Sequence, residues 1–343
     1  KYCLLHFRKG RRTLRLFIQA HEAGKAGGKT VRTPNAKTAP KRINYKLKSQ
    51  IQLYAIMSPV LILIFIFCYV PMYGLLISFQ DWTPGMPFMD FTGQTKWVGL
   101  KHFSTFVHDP YFWRLIKNTL VLSAMNLGIA FWIPIIFSLL INEVRLVKFK
   151  KFAQTASYMP YFISSVVVAG MALSFLSSDG IINKFIMMMG GEPFLLNMKP
   201  QYFPIVYTVI NIWRNFGWGS ILYLSSMASI DPTLYEAASL DGANRWHKIW
   251  HVTLPAIKPT IVVMLIMGVG GMLGADSDMI LLLYNPATYE YADVIGTYLY
   301  RYGLMGGNFS YGTAVGFMIS LINFGMVYLA NMVSRKVADY SLW

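Results

Sequence analysis

Acidic residues are scarce in this chain: 15 Asp and Glu stand against 31 Lys and Arg in 343 residues, and the four charged types together make up only 13% of it. An ordinary soluble domain carries about 25%, so a surface facing water on all sides is excluded. The two cysteines, Cys3 and Cys68, lie far apart, which excludes a disulfide framework or a cysteine-based zinc cluster. No G-x-x-x-x-G-K-[ST] phosphate loop is present, so a nucleotide-hydrolysing site of that kind is not expected in this chain. His247 and His251 have the i, i+4 spacing of a metal pair but lack the glutamate of H-E-x-x-H, and beside Trp246 and Trp250 they are read as interfacial side chains. No metal or cofactor site is expected. Alternating segments of about ten residues are missing too, which removes a membrane β-barrel.

What the chain has instead is apolar length. Hydrophobic residues make up 55% of it, the mean hydropathy is +0.43, and several runs exceed the roughly 18 residues that mark a membrane helix. The fold expected is an all-α membrane protein with six transmembrane helices, at about 53 to 79, 115 to 142, 152 to 176, 203 to 229, 260 to 284 and 312 to 334. An even number of spans puts both termini on one side. The segments on that side hold 23 Lys and Arg, against six in the opposite loops. Positive charge marks the cytoplasmic face, so the N and C termini and the 230–259 loop are expected to be cytoplasmic in a multi-pass membrane protein.

The formal charge of +16 is concentrated at one end, with 14 of the 31 basic residues in the first 48 positions. Such a tail orients the chain and touches anionic membrane lipid; nucleic acid is not expected as a partner. Residues 1 to 48 are therefore read as a basic, partly mobile cytoplasmic tail, and 49 to 343 as the membrane domain. The outer segments are rich in aromatics, notably Trp82, Trp97, Phe103, Phe106, Tyr111, Phe112 and Trp113, and 290–302 is expected to form a short helix. These aromatics read as an interfacial belt or as a docking surface for an external protein.

Polar groups inside apolar runs are functional candidates, because charge in a bilayer is costly. Arg214 lies about 11 residues into the fourth span, roughly 17 Å deep, with Asn211, Trp213, Asn215 and Trp218 around it. Amides bond sugar hydroxyls and flat rings stack on sugar C–H faces, so the composition suits a glycan. Arg214 reads either as half of a structural pair or as part of a solute path. Asp276 and Asp278 follow a glycine-rich run and join the substrate-path candidates. Asp276-Ser277-Asp278 is also a D-x-D tripeptide able to hold a divalent metal, but it falls on the side where nucleotide donors are absent. Gly270 with Gly274, and Gly312 with Gly316, form small-xxx-small faces for packing within this chain or against a second one.

The stretch YEAASLDGANRWHKIWHVTLPAIKP, Tyr235 to Pro259, is polar and built for a defined shape. Asp231 followed by Pro232 starts a helix, since the carboxylate caps free N–H groups and proline fits the first position. Gly242 stops it. A second short helix is expected from Asn244 to about Trp250, with Pro255 and Pro259 restricting entry to the next span. Ala237 and Ala238 leave a smooth face, and Glu236 and Asp241 offer acceptors.

This stretch closely resembles the EAA loop of the permease subunits of bacterial ATP-binding cassette importers, at Glu236, Ala237, Ala238, Asp241, Gly242, Ala243, Leu254 and Pro255. WVGLKHF, NTLVLSA, YMPYFISSVVVAGM, the run from NIWRNFGW to ILYLSSMASIDPTLYEAA, LLLYNPATYEYADVIGTYLYR and SRKVADYSLW look like the carbohydrate branch of that family, from about residue 50 to the end. At GADSD the sequence departs from that branch. The resemblance implies a type I ABC importer permease fold and no covalent chemistry in this chain. It also implies that Tyr235 to Ala243 form the coupling helix seated in an ABC ATPase dimer, where ATP and Mg are bound. The further partners implied are a second, homologous permease subunit, an extracytoplasmic solute-binding protein and an oligosaccharide substrate. Two rivals remain open: a membrane glycosyltransferase, which would turn over without an ATPase, and an ATP-independent carrier, which typically has broken helices in matching halves.

Overall fold

The structure is a computed structural model that describes residues 43–87, 95–196, 198–274, 277–338 and 340–342. The basic tail expected over 1 to 48 thus lies almost wholly outside the described residues, and so does Asp276. Contacts divide the chain after Cys68. The first unit contributes one apolar helix, α1 (Ile43–Ile64), continued by a π-helical turn over Phe65–Tyr69.

The second unit opens with a 3-10 stretch, Val70–Phe79, and a short helix α2 (Lys101–Val107). A single antiparallel bridge, Gln80 to Trp97, is the strand-like pairing among the described residues. Then come α3 (Phe112–Met125), a π turn over Asn126–Ala130 and α4 (Trp132–Glu143). After α5 (Val147–Tyr158) and α6 (Ser165–Phe175) lies a short helix, α7 (Ile181–Met188). The long α8 (Phe203–Ala228) leads into the elbow helices α9 (Pro232–Leu240) and α10 (Arg245–Lys248). The chain continues through α11 (Leu254–Gly270), α12 (Ser277–Leu283), the single-turn helices α13 (Tyr289–Ala292) and α14 (Ile295–Tyr298), and α15 (Phe309–Val337). The short helix expected over 290–302 is thus two single turns followed by a π-helical stretch, Leu299–Met305.

Four helical stretches are long and apolar enough to cross a membrane: Gln50–Phe79, Phe112–Glu143, Arg245–Gly270 and Phe309–Val337. The third expected span, 152 to 176, is not one rod. Val147–Phe162 and Ser165–Phe175 meet at 97° and make a fifth crossing only as a bent pair. The bend falls at Ile163 and Ser164, which are both extended after the 3-10 turn Met159–Phe162; Ser164 then caps α6 by accepting from Val167 N–H. The fourth expected span, α8, has 26 residues, about 39 Å, but falls short of the others in apolarity because Asn211, Arg214 and Asn215 sit at its middle.

The fifth expected span, 260 to 284, is also interrupted. Its helix ends at Gly270 and resumes at Ser277. Glycines at 268, 270, 271 and 274 weaken the helix, and neighbours take the freed backbone groups: Ser123 Oγ donates to Met272 O and Leu273 N–H donates to Asn323 Oδ1 at 3.3 Å. Irregular backbone at membrane depth requires such partners.

Small residues set the close approaches. A Cβ at Gly217 would collide with the Ser157 carbonyl, and one at Gly270 with Val327. Gly312 meets the Gly303 backbone, so Gly270 and Gly312 pack within this chain, while Gly316 faces open space. Gly217→Ala is expected to lower stability by about 1–3 kcal/mol through overpacking of α8 on α5, whereas Gly325→Ala, with nothing within 4 Å, leaves it unchanged or raised. Thermal melts of the two purified variants check this.

Candidate coupling elbow and solute path

The elbow forms through local chemistry. Asp231 Oδ1 accepts from Thr233 N–H at 2.9 Å, and the Thr233 backbone N–H, then its hydroxyl, hold the Asp231 carboxyl below its usual range. At the other end Gly242 adopts φ +76°. Ala243 N–H donates to Ala238 O at 2.9 Å and Gly242 N–H to Ser239 O at 3.1 Å, the paired bonds of a Schellman stop. Asn244 caps α10 by accepting from His247 N–H at 2.9 Å.

Two braces hold α9 to the helical stretch after it. The Tyr235 and Thr253 hydroxyls lie 2.9 Å apart, and Lys248 Nζ donates to Ser239 Oγ at 2.7 Å. Beneath them, Ile257 and Leu254 pack on Tyr223, Met227 and Ile135. Yet α9 itself buries no residue. Glu236, Ala237, Asp241 and Gly242 are exposed, and Leu240 is 90% exposed.

The second elbow helix does not stop at Trp250. Arg245 to Gly270 is one continuous helical stretch of 26 residues. A π-helical turn, Ile249–Thr253, ends two residues before Pro255, and its wider winding absorbs the carbonyl clash and missing N–H that proline brings. Each histidine ring is engaged locally, His247 Nδ1 with Asn244 Oδ1 at 2.8 Å and His251 Nδ1 with His247 O at 3.0 Å.

Near its middle α8 presents Asn211, Arg214, Asn215 and Trp218 on one face by its 3.6-residue period, and Trp213 on the opposite side. Asn211 Nδ2 donates to Asn126 Oδ1 at 2.6 Å, and Asn215 Nδ2 donates to the Asn211 side chain and backbone carbonyl. One face of Trp218 is already covered by Tyr161, stacked at 4.5 Å and 2°, so it offers a sugar only its other side. Asp278 is exposed in the first turn of α12, which packs against α6 and α14; no ion pair joins it to Arg214 among the described residues.

Away from the elbow, near the start of α8, an ionic knot ties the start of α3 to the segment after α13. The Asp293 side chain is wholly buried between Arg301 Nη2 at 2.6 Å and Arg114 Nη2 at 3.4 Å. Thr297 Oγ1 donates to Asp293 Oδ1 at 2.8 Å, and Asn118 Nδ2 donates to the Asp293 carbonyl at 3.0 Å. Burial opposes the Arg301 charge, but the hydrogen bond and charge of Asp293 outweigh it and hold the guanidinium above its usual range. Nearby, burial and the hydrogen bond to Asp109 at 2.5 Å push the Tyr298 phenol up.

Residues 134–339 match the family described as "Binding-protein-dependent transport system inner membrane component". The chain belongs to this family. The permease is 43% identical over 304 residues to the polygalacturonan/rhamnogalacturonan transport system permease protein YteP of Bacillus subtilis (strain 168), covering 88% of this chain and 94% of that one. It is 38% identical over 309 residues to protein LplB of the same organism, covering 89% and 96%. A chain of a bacterial ABC transporter involved in the import of the acidic polysaccharide alginate superposes with a TM-score of 0.76 at 40% identity, over 87% of the permease and 99% of that chain. The alginate transporter in complex with alginate pentasaccharide-bound periplasmic protein gives 0.78 at 39%, over 88% and 100%.

This permease is a multi-pass transport subunit, not an enzyme. The family match contains the elbow and all of α8. Asn126 is the residue of the polar face that sequence reasoning missed; an amide inside the apolar run after Met125 was its signal. The Asp293 knot carried no comparable signal, because Arg114 joins it from 179 positions away.

Proposed function

We propose that the permease is one of two membrane subunits of an importer that receives an oligosaccharide from an external binding protein. An ATPase dimer, which carries the ATP and Mg, drives it through the 235–250 elbow. The observation that carries this reading is α9: a helix capped at both ends and braced by Tyr235 and Lys248 that buries none of its own residues. A segment held in shape without a core of its own is built to be gripped by a partner. Tyr235 acts from the inside as a brace, while Glu236, Ala237, Asp241 and Gly242 form the outward contact. The relatives' named substrates, polygalacturonan and alginate, support an acidic glycan as cargo. The placement that fits is a bacterial inner membrane, with the elbow and both termini cytoplasmic.

The test is co-purification from the native membrane followed by reconstitution. A stoichiometric ATPase and a second permease are expected, with uptake of loaded binding protein's cargo dependent on ATP. A chain that transports alone would overturn the reading in favour of an ATP-independent carrier, the rival whose broken helices find some echo in the interruptions at 159–164 and 271–274. Turnover of a nucleotide-sugar without an ATPase would instead favour the glycosyltransferase.

A further inference from the structure

Resting on that reading, we infer that Arg214 is a carboxylate-recognising residue of the solute path, and that the sugar it meets there is a uronate. Arg214 lies near the middle of α8, about 11 residues from its start. It makes no ion pair or hydrogen bond among the described residues. Its Nε is sealed from water and has no partner, while the residue as a whole is only half-buried, so its terminal nitrogens remain accessible. Arg114 also leaves its Nε unpartnered, but its charge and that of Arg301 are matched by Asp293, whereas the charge of Arg214 is not.

A mid-span guanidinium facing lipid is strongly disfavoured, and those that occur face protein or a water-filled path. The chemistry beside Arg214 favours the path. Asn211, Asn215 and Asn126 form a run of side-chain amides on the same side, and amides exchange hydrogen bonds readily with hydroxyls. The guanidinium fork matches a carboxylate with two parallel hydrogen bonds. A hexuronate carries a carboxylate and neighbouring hydroxyls on one ring, so a single sugar residue satisfies both sets. Asp278, which would repel it, stands on α12, an element that packs on α6 and α14.

The experiment is uptake by the reconstituted complex of a galacturonate trisaccharide and of its methyl ester, which keeps the ring and loses the charge. The same saturating binding protein is used throughout, so any change reports this chain. The wild type is expected to prefer the acid. In Arg214→Gln, uptake of the acid falls about ten-fold or more, the worth of a charge-assisted pair, while the ester is unaffected and the preference collapses. If the Gln variant does not assemble, Arg214→Lys gives the readout: charge without the fork, and a preference that shrinks without vanishing. An acid-to-ester ratio equal to wild type in the variants overturns the inference, as does a wild type with no preference for the acid. ATP-independent uptake, by contrast, overturns the importer reading itself.

Discussion

Gly242→Val in the reconstituted complex is expected to reduce solute-stimulated ATP hydrolysis to its basal rate, a loss of at least about ten-fold, while the permease still inserts and folds. The cause is local. Gly242 holds φ +76° with nothing within 4 Å of where a Cβ would stand, so the cost is conformational rather than steric crowding. A β-branched residue is a poor occupant of that region. The paired bonds from Ala243 and Gly242 to Ala238 and Ser239 would open, and α9 would lose its fixed angle to α10. Gly242→Asn should retain most coupling, because asparagine tolerates the left-handed conformation. Glu236→Ala separates shape from contact. Glu236 is exposed and has no partner among the described residues, so a fall in stimulated hydrolysis there reports the ATPase interface alone. Unchanged stimulation in both Gly242→Val and Glu236→Ala would remove the coupling role.

The second large effect is expected at Asp293. Asp293→Ala leaves two guanidinium groups facing each other without their shared carboxylate. Removing one partner of a buried ion pair costs about 3–5 kcal/mol. The low end applies here, since the side chains of Arg114 and Arg301 remain 31% and 28% exposed. A loss of about 3 kcal/mol is a large fraction of the stability of an ordinary domain. The expected observation is a lower yield of assembled complex and a clearly lower melting temperature. Asp293→Asn should be milder, because it keeps an acceptor for Thr297 and for one arginine. Equal melting of Asp293→Ala and wild type would show that water screens the knot.

The elbow is legible in the sequence because capping is written in adjacent residues: Asp231 with Pro232 starts α9 and Gly242 ends it, each through bonds spanning a few positions. The spans expected at 53 to 79, 115 to 142 and 312 to 334 are legible as well, each falling on a long apolar helical stretch, since apolarity accumulates over about twenty residues. What hydropathy does not encode is direction. YMPYFISS is as apolar on one side of its bend as on the other, so a 97° turn looks like a straight span. The glycine break after Gly270 escapes for the same reason, its satisfaction depending on Ser123 and Asn323 from distant helices. Proximity in sequence groups Trp213 with Arg214, although helical period puts it on the other side. Pro255 reads as a restriction on helix entry, and the π turn before it lets the helix run through.

That unbroken stretch from Arg245 to Gly270 has a mechanical consequence. With 26 residues it is about 39 Å long, and the elbow's braces fasten α9 to its near end. A tilt of roughly 10° imposed at one end sweeps the other through about 7 Å over that length, more than the width of a sugar ring. Beyond Gly270 the helix has no stiffness left to carry such a swing further, so it would be delivered at the Gly271–Gly274 joint, where Ser123 and Asn323 grip the freed backbone. An ATP-driven push on the elbow would therefore be felt there as displacement and at α12 only as a change of load.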